Sequence, residues 1–379
     1  MLIKVIYRDG DFFSQILNFN FTKMKKTILQ SVFTAFLFSI ICFQGCSNDT
    51  IVNTPVQSTK GIFVLYEGQF GQPASYDYAF INLLDTTVKT NVYQNSNNGA
   101  LLNAFPDGMI ISGTDLFITA QGGFASQGTI YKINSSDNHL TGSANFGKNP
   151  YSMVIDNNKI YVTNTSGSYV TVMDMNFNIL DTVGVGLNPA DIVQASGKIY
   201  VSKQSYTSEN SIAIINESNN QVSKIFFQNP PVSVAANSGK VFVSVYGSKT
   251  MYIIDQVSNQ VTDSVSIGTQ FFGIGDLRTG DSRTIYAVGA DTSFFQSIGK
   301  EIYKYDIINK SSSKIIPYPG SNTNIYGLSF DAVGNKLYIA DAKTGTTNGE
   351  VRVYDSGGAL LKTYADIGGK FPKRFAFKY

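Results

Sequence analysis

Polar side chains that stand just beyond short apolar runs are the first candidates for chemistry. Glu67 follows "GIFVLY", Gln121 follows "DLFITA", Asn164 closes "KIYVTN", Lys203 closes "KIYVSK", Tyr246 follows "KVFVSV" and Asp341 closes "KLYIAD". Gln69, Phe70, Gln204, Tyr206, Phe294 and Phe295 lie a little further along such segments. Amides, hydroxyls and aromatic rings in this mixture suit recognition of a glycan, a peptide or another protein. The absence of tryptophan argues against a dedicated sugar platform, although Tyr and Phe also stack on sugar rings. A sharper reading joins Glu67, Asn164 and Asp341 into a site for Ca²⁺ or another divalent ion, because hard cations take carboxylate and amide oxygens. The plainer reading has the same side chains cap strand ends or meet water.

Other reactive constellations are thin. His139 is the sole histidine and falls in the turn "NSSDNHL", so no Ser-His-Asp triad can form around those residues. One histidine and two cysteines give no zinc or haem set. "GSANFGKN" (142–149) approaches a phosphate-binding loop, yet it lacks the closing Ser or Thr and runs into Pro150. It also joins strand to strand where a helix N-terminus is needed. "DTI" (49–51), "DTV" (181–183) and "DSV" (263–265) resemble short O-glycosylation sites, a pattern that chance supplies often.

The elements that must position the candidates repeat. A "KIYV"-type strand begins at Gly61, Asp115, Lys159, Lys198, Lys240, Thr284 and Lys336, at intervals of 39 to 54 residues. Each is followed by a second alternating strand ("YVTVMDMN", "SIAIINES") and a third ("NILDTVGV", "VTDSVSI"). A fourth precedes six of the seven: "FPDGMIIS", "NPYSMVID", "NPADIVQA", "PPVSVAAN", "FFGIGDL" and "IYGLSFD". The missing one is "FPKRFAFKY" (371–379), at the far end of the chain. A period near forty with four strands per unit predicts an all-β, seven-bladed β-propeller over residues 61–379. The last strand joins the first blade and so removes two open sheet edges. Phe375 should then lie beside Val64.

Successive strands alternate in direction, so their connections alternate between two faces. On one face they are short: "DNN" (156–158), "ASG" (195–197), "NSG" (237–239). Asn, Asp and Gly there read as scaffold turns. On the other they are longer and varied, as in "YEGQFGQPASYD" from Tyr66, "QNSNNGALLNA" from Gln94, "SKQSYTSEN" from Ser202 and "VGADTSFFQSIGK" from Val288. That makes the second face the candidate binding surface.

"IYVTNT" (160–165) contains the letters YVTN, and from Gly61 onward the chain resembles the YVTN-repeat, YncE-like β-propeller family of exported bacterial proteins. Its start, "GIFVLYEGQFGQPASYDYAFINLLD", is similar to the opening of propeller lipoproteins on bacterial outer membranes, with Tyr66 where Asn is usual and Glu67-Gly68 kept. The resemblance implies fold and an envelope location. Related propeller lactonases and gluconolactonase-like enzymes place carboxylates and amides around a cation at the channel mouth, which is what the Glu67, Asn164 and Asp341 reading would imply here. Ligand-binding without catalysis is the leading expectation, and a metal-dependent hydrolase or lactonase the alternative.

The first sixty residues agree with export. Residues 24–45 pair a basic start (Lys25, Lys26) with an apolar run from Ile28 to Phe43, the layout of a signal peptide. "FQGC" resembles a lipobox and makes Cys46 the expected lipidation site, with a membrane lipid anchor as the consequence. Residues 1–23 precede that start and read as an upstream initiation chosen in error. Residues 46–60 read as a polar tether. Residues 1–45 hold five of the 29 Lys and Arg and two of the 27 Asp and Glu, which leaves 24 bases against 25 acids from Cys46 onward. Such a balance gives nucleic acid no electrostatic footing. The expected protein is a monomeric outer-membrane lipoprotein, facing the periplasm or the outside, without a disulfide.

Overall fold

The computed structural model describes residues 57–293, 296–320 and 322–379. The upstream segment, the signal peptide, Cys46 and most of the tether lie outside the described residues, as do Phe294 and Phe295. Among the described residues, 28 strands form five four-stranded antiparallel sheets and one of eight strands that divides into two sets of four. The innermost strand of each set of four is β4 (Pro106–Ser112), β8 (Pro150–Asp156), β12 (Pro189–Ala195), β16 (Pro231–Asn237), β20 (Gly273–Thr279), β24 (Ile325–Asp331) or β28 (Pro372–Lys378). Each innermost strand touches the next and β28 touches β4, so the seven close a circle.

Alternation explains why the blades hold together. In β1 (Gly61–Tyr66), Phe63 and Leu65 pack with Leu116, Ile118 and Tyr131 of the following blade. Ile62, Val64 and Tyr66 point the other way, onto Tyr338, Ala340 and Val351 of the last blade. A strand buried on both faces therefore carries apolar residues at nearly every position. Each fully buried aromatic such as Phe63 contributes about 2–3 kcal/mol of transfer free energy. The outermost strands have no neighbour outside them, and the residues of β15 (Val222–Phe226) are mostly exposed.

The ring closes as the sequence predicts. β28 pairs antiparallel with β1, and Val64 stands opposite Phe375. In the short turns, Asn157 and Asn158 take φ of 48° and 57°, the left-handed pair that a tight hairpin needs. Two segments read as loops are structured. Gln94–Ser96 belongs to a five-residue helix, α1 (Val92–Ser96), whose Tyr93 and Gln94 amides donate to the buried Asp77 carboxylate at 2.8 and 3.1 Å. The segment from Val288 instead extends β21 (Thr284–Ser293) and β22 (Gln296–Asp306) into a long hairpin. That hairpin reaches the next blade, where Gly299 pairs with Ile325. A Cβ on Gly299 would lie 2.3 Å from the Ile325 carbonyl oxygen, so only glycine allows the approach.

Candidate functional site

The innermost strands border one another only through side chains and leave a space along the ring axis. A chamber of about 580 Å³ lies at the end where the "KIYV" strands finish, on the face of varied loops, and residues from all seven blades line it. A second chamber of about 280 Å³ lies deeper, and Asp191, Arg278 and Arg374 border both. These three form the waist of the channel.

Charged groups in the walls are matched in two clusters. At the mouth, Lys373 Nζ lies 2.6 Å from Glu67 Oε1 and contacts Asp107 Oδ1. Tyr326 donates its hydroxyl to Glu67 Oε2 at 2.6 Å, and Gln121 donates its amide to Asp107. At the waist, Arg278 Nη1 lies 2.7 Å from Asp276 and 3.1 Å from Asp191. Ser233 donates towards both carboxylates, at 3.0 and 3.1 Å. Each of the three carboxylates that line the upper chamber is thus paired with a cation.

Burial sets the titration of these groups, and neighbouring charge modifies it. Burial raises the Asp276 carboxyl, with Arg278 opposing and Asp191 adding to the rise. Asp191 is also penalised by burial, but Arg278 and Arg374 outweigh it and hold that carboxyl below its usual range. Burial lowers Lys373 despite Glu67 beside it. The Tyr151 hydroxyl, beneath both Lys373 and Arg374, is pushed up to about 12 by burial. The wall is a fixed set of charges, with acids and bases held together.

The residues expected from sequence divide between this chamber and the scaffold. Glu67, Gln121, Lys203 and Tyr206 line the chamber. Tyr206 is 55% exposed, whereas the Lys203 ammonium turns back to donate to the Val185 carbonyl at 2.7 Å. Gln69 accepts from Lys370 at 3.0 Å, and Tyr246 packs its ring 5.5 Å from Phe272; neither lines the chamber.

The grouping of Glu67, Asn164 and Asp341 is corrected by the structure. Asn164 is fully buried, its amide spent on Val162, Tyr169 and Thr171 and its oxygen on the Lys148 amide. Asp341 is fully buried too, held by the backbone amides of Asn324 and Lys343 and by Arg352 at 2.9 Å. Both cap strand ends inside their own blades, so only Glu67 reaches the channel. Among the described residues, no group of three His, Cys, Asp or Glu side chains is placed to hold a metal ion.

Sequence reasoning passed over Asp107, Tyr151, Asp191, Asp276, Arg278, Tyr326, Lys373 and Arg374. All stand on innermost strands, which the apolar runs marked as scaffold. A signal existed: charged or aromatic residues recur within two positions after the proline in "FPDG", "NPYS", "NPAD" and "FPKR". Those positions are where the strand enters the ring and faces the axis.

Solved structures share the architecture. The periplasmic gluconolactonase of Pseudomonas aeruginosa is 11% identical, with a TM-score of 0.63, covering 84% of this chain and 99% of that one. A quinonprotein alcohol dehydrogenase-like protein from Bacteroides thetaiotaomicron is 16% identical, with a TM-score of 0.63 and coverage of 84% and 78%. The Pan2 WD40 domain of Neurospora crassa is 10% identical, with a TM-score of 0.52 and coverage of 72% and 79%. Identities this low carry the fold alone. No curated protein matches the sequence. The family described as a domain of unknown function, DUF5074, matches residues 60–378, and the chain belongs to that family.

Proposed function

We propose that this protein is a lipid-anchored, YncE-like propeller of the bacterial envelope that binds a small polar ligand, a glycan or a peptide end, in the upper chamber without turning it over. One observation carries the reading: Glu67, Asp191 and Asp276 are each committed to Lys373 or Arg278, which leaves no chamber carboxylate free to serve as general base or cation ligand. The volume falls within the range of small-molecule sites, and the aromatic rings of Phe105, Tyr151 and Tyr206 give apolar walls beside polar groups. The anchor on Cys46, the monomeric state and the lack of a nucleic-acid partner belong to the same reading, supported by the signal-peptide pattern and the charge balance. Incorporation of labelled palmitate that disappears in Cys46→Ala tests the anchor, and proteolysis of intact cells tests whether the domain faces outward.

The second reading, a lactonase-type hydrolase with a divalent cation, is favoured by the likeness in fold to a gluconolactonase over 84% of the chain. The purified full chain in detergent, assayed for bound metal and against lactones and esters, separates the two. The binding reading predicts neither metal nor turnover. Turnover that is lost in both Glu67→Gln and Asp276→Asn would overturn it.

A further inference from the structure

Arg374 stands where the two chambers meet, and most of its hydrogen-bonding capacity is unspent. A guanidinium carries five N–H donors in a planar fork. Nε donates to the Asp107 carbonyl at 3.0 Å, and among the described residues the two terminal nitrogens have no protein acceptor. Arg278 beside it is more heavily engaged: Asp191, Asp276 and the Leu277 carbonyl meet its Nη1, and the Leu328 carbonyl meets its Nε. The carboxylates near Arg374 are turned to other partners: Asp191 and Asp276 to Arg278 and Ser233, Glu67 to Lys373 and Tyr326. Arg374 is only partly buried, so these unspent N–H groups meet the water of the chamber, which a ligand carboxylate can displace.

Charge agrees with an anion at this point. The upper chamber is lined by Glu67, Asp191 and Asp276 against Lys203, Arg278, Lys373 and Arg374, and the lower by Asp191 against Arg278 and Arg374. The lower set leaves one positive charge in excess, whereas the upper balances once Lys203, turned to the Val185 carbonyl, is set aside; Asp107 shares Lys373 with Glu67 at the mouth. The Tyr151 ring lies 6.0 Å from the Arg374 guanidinium carbon and 4.6 Å from Lys373 Nζ. It therefore offers a flat wall next to the fork.

We propose that Arg374 receives the single carboxylate of a small organic acid as a bidentate pair, with the body of that acid in the upper chamber between Tyr151 and Tyr206. Planar, two-point pairing is what a guanidinium offers and a lysine does not. The inference rests on the ligand-binding reading of the chamber and adds the chemical class of the ligand. The carboxylate could come from a sugar acid or from a peptide C-terminus, and the experiment is built to tell these apart.

Calorimetric titration of the purified full chain in detergent would use two matched pairs of probes: glucuronate with glucose, and N-acetyl-dialanine with its amide. One acid should bind about tenfold or more tighter than its neutral twin, the scale of a charge-assisted bidentate pair. The preference should collapse in Arg374→Lys, while Tyr206→Ala should weaken acid and neutral forms alike. Should Arg374→Lys fail to fold, loss of the wild-type preference in high salt supplies the same information. Preference within the sugar pair assigns a sugar acid, and within the peptide pair a chain end; either supports the proposal. Equal binding of acid and neutral forms overturns carboxylate recognition and leaves ligand binding standing. Failure of all four probes to bind overturns carboxylate recognition. Turnover of the lactone of glucuronate would overturn the non-enzymatic reading without touching the acid preference.

Discussion

Replacing Lys373 with methionine keeps the apolar stem and removes the cation that serves two carboxylates at the channel mouth. Lys373 and Glu67 are each 13% exposed, and Asp107 is fully buried. Deleting one partner of a buried ion pair costs about 3–5 kcal/mol, because the survivor keeps its charge without compensation. Glu67 would retain the Tyr326 hydroxyl, and Asp107 the Gln121 amide, which places the loss near the lower end, about 3 kcal/mol. With an unfolding entropy of roughly 2 cal/mol/K per residue over about 320 residues, the melting temperature should fall by about 5 °C. Thermal unfolding followed by circular dichroism reads this directly. Adding Asp107→Asn should recover most of the loss in the Lys373→Met background and destabilise the wild type, because the amide is harmless only where the ammonium is gone. A Lys373→Met protein that melts with the wild type, or an Asp107→Asn cost equal in both backgrounds, would refute the ion-pair reasoning.

Two further outcomes follow from single residues. Burial draws the Lys203 ammonium down to about 8 from its ordinary 10.5, so between those values the unfolded chain holds a proton that the folded chain has released. Stability then rises with pH in that window, and urea unfolding should show the wild type gaining about 1 kcal/mol on Lys203→Met from pH ~8 to pH ~9.5; a flat difference would contradict the burial of the charge. Gly327→Ala places a Cβ 2.2 Å from the Lys373 carbonyl oxygen, where β24 meets β28, and should cost about 3 kcal/mol, the upper end of overpacking. Gly184→Ala, which meets nothing within 4 Å, serves as control and should stay within about 0.5 kcal/mol; equal effects at the two sites would argue against close contact between the last and first blades.

The architecture was legible because burial on both faces writes itself into the sequence. "KIYV" and its partners recur since each must fill the space between two blades, and "FPKRFAFKY" was recognised as the missing strand by counting. The register of Val64 against Phe375 followed from that count. The site was legible only in part. Glu67, Gln121 and Tyr206 lie on loops of the varied face and were found by loop length and side-chain type. Asn164 and Asp341 looked equally available, yet a polar residue at a strand end can turn inward to satisfy backbone groups, and no sequence pattern reports which way it turns. Asp191, Arg278 and Arg374 were hidden for the opposite reason. They sit within strands, and only the circular arrangement brings residues 87 positions apart, such as Asp191 and Arg278, into one ion pair.

Hydrogen exchange of the tail strand tests the closed ring most directly, since that strand both fastens the propeller and delivers Lys373 and Arg374 to the channel. Mass spectrometry of peptides covering Pro372–Lys378 and Gly61–Tyr66 should show both exchanging together and slowly, because they share one ladder that opens only when the ring opens. Exchange of the tail within seconds while Gly61–Tyr66 stays protected would contradict the account.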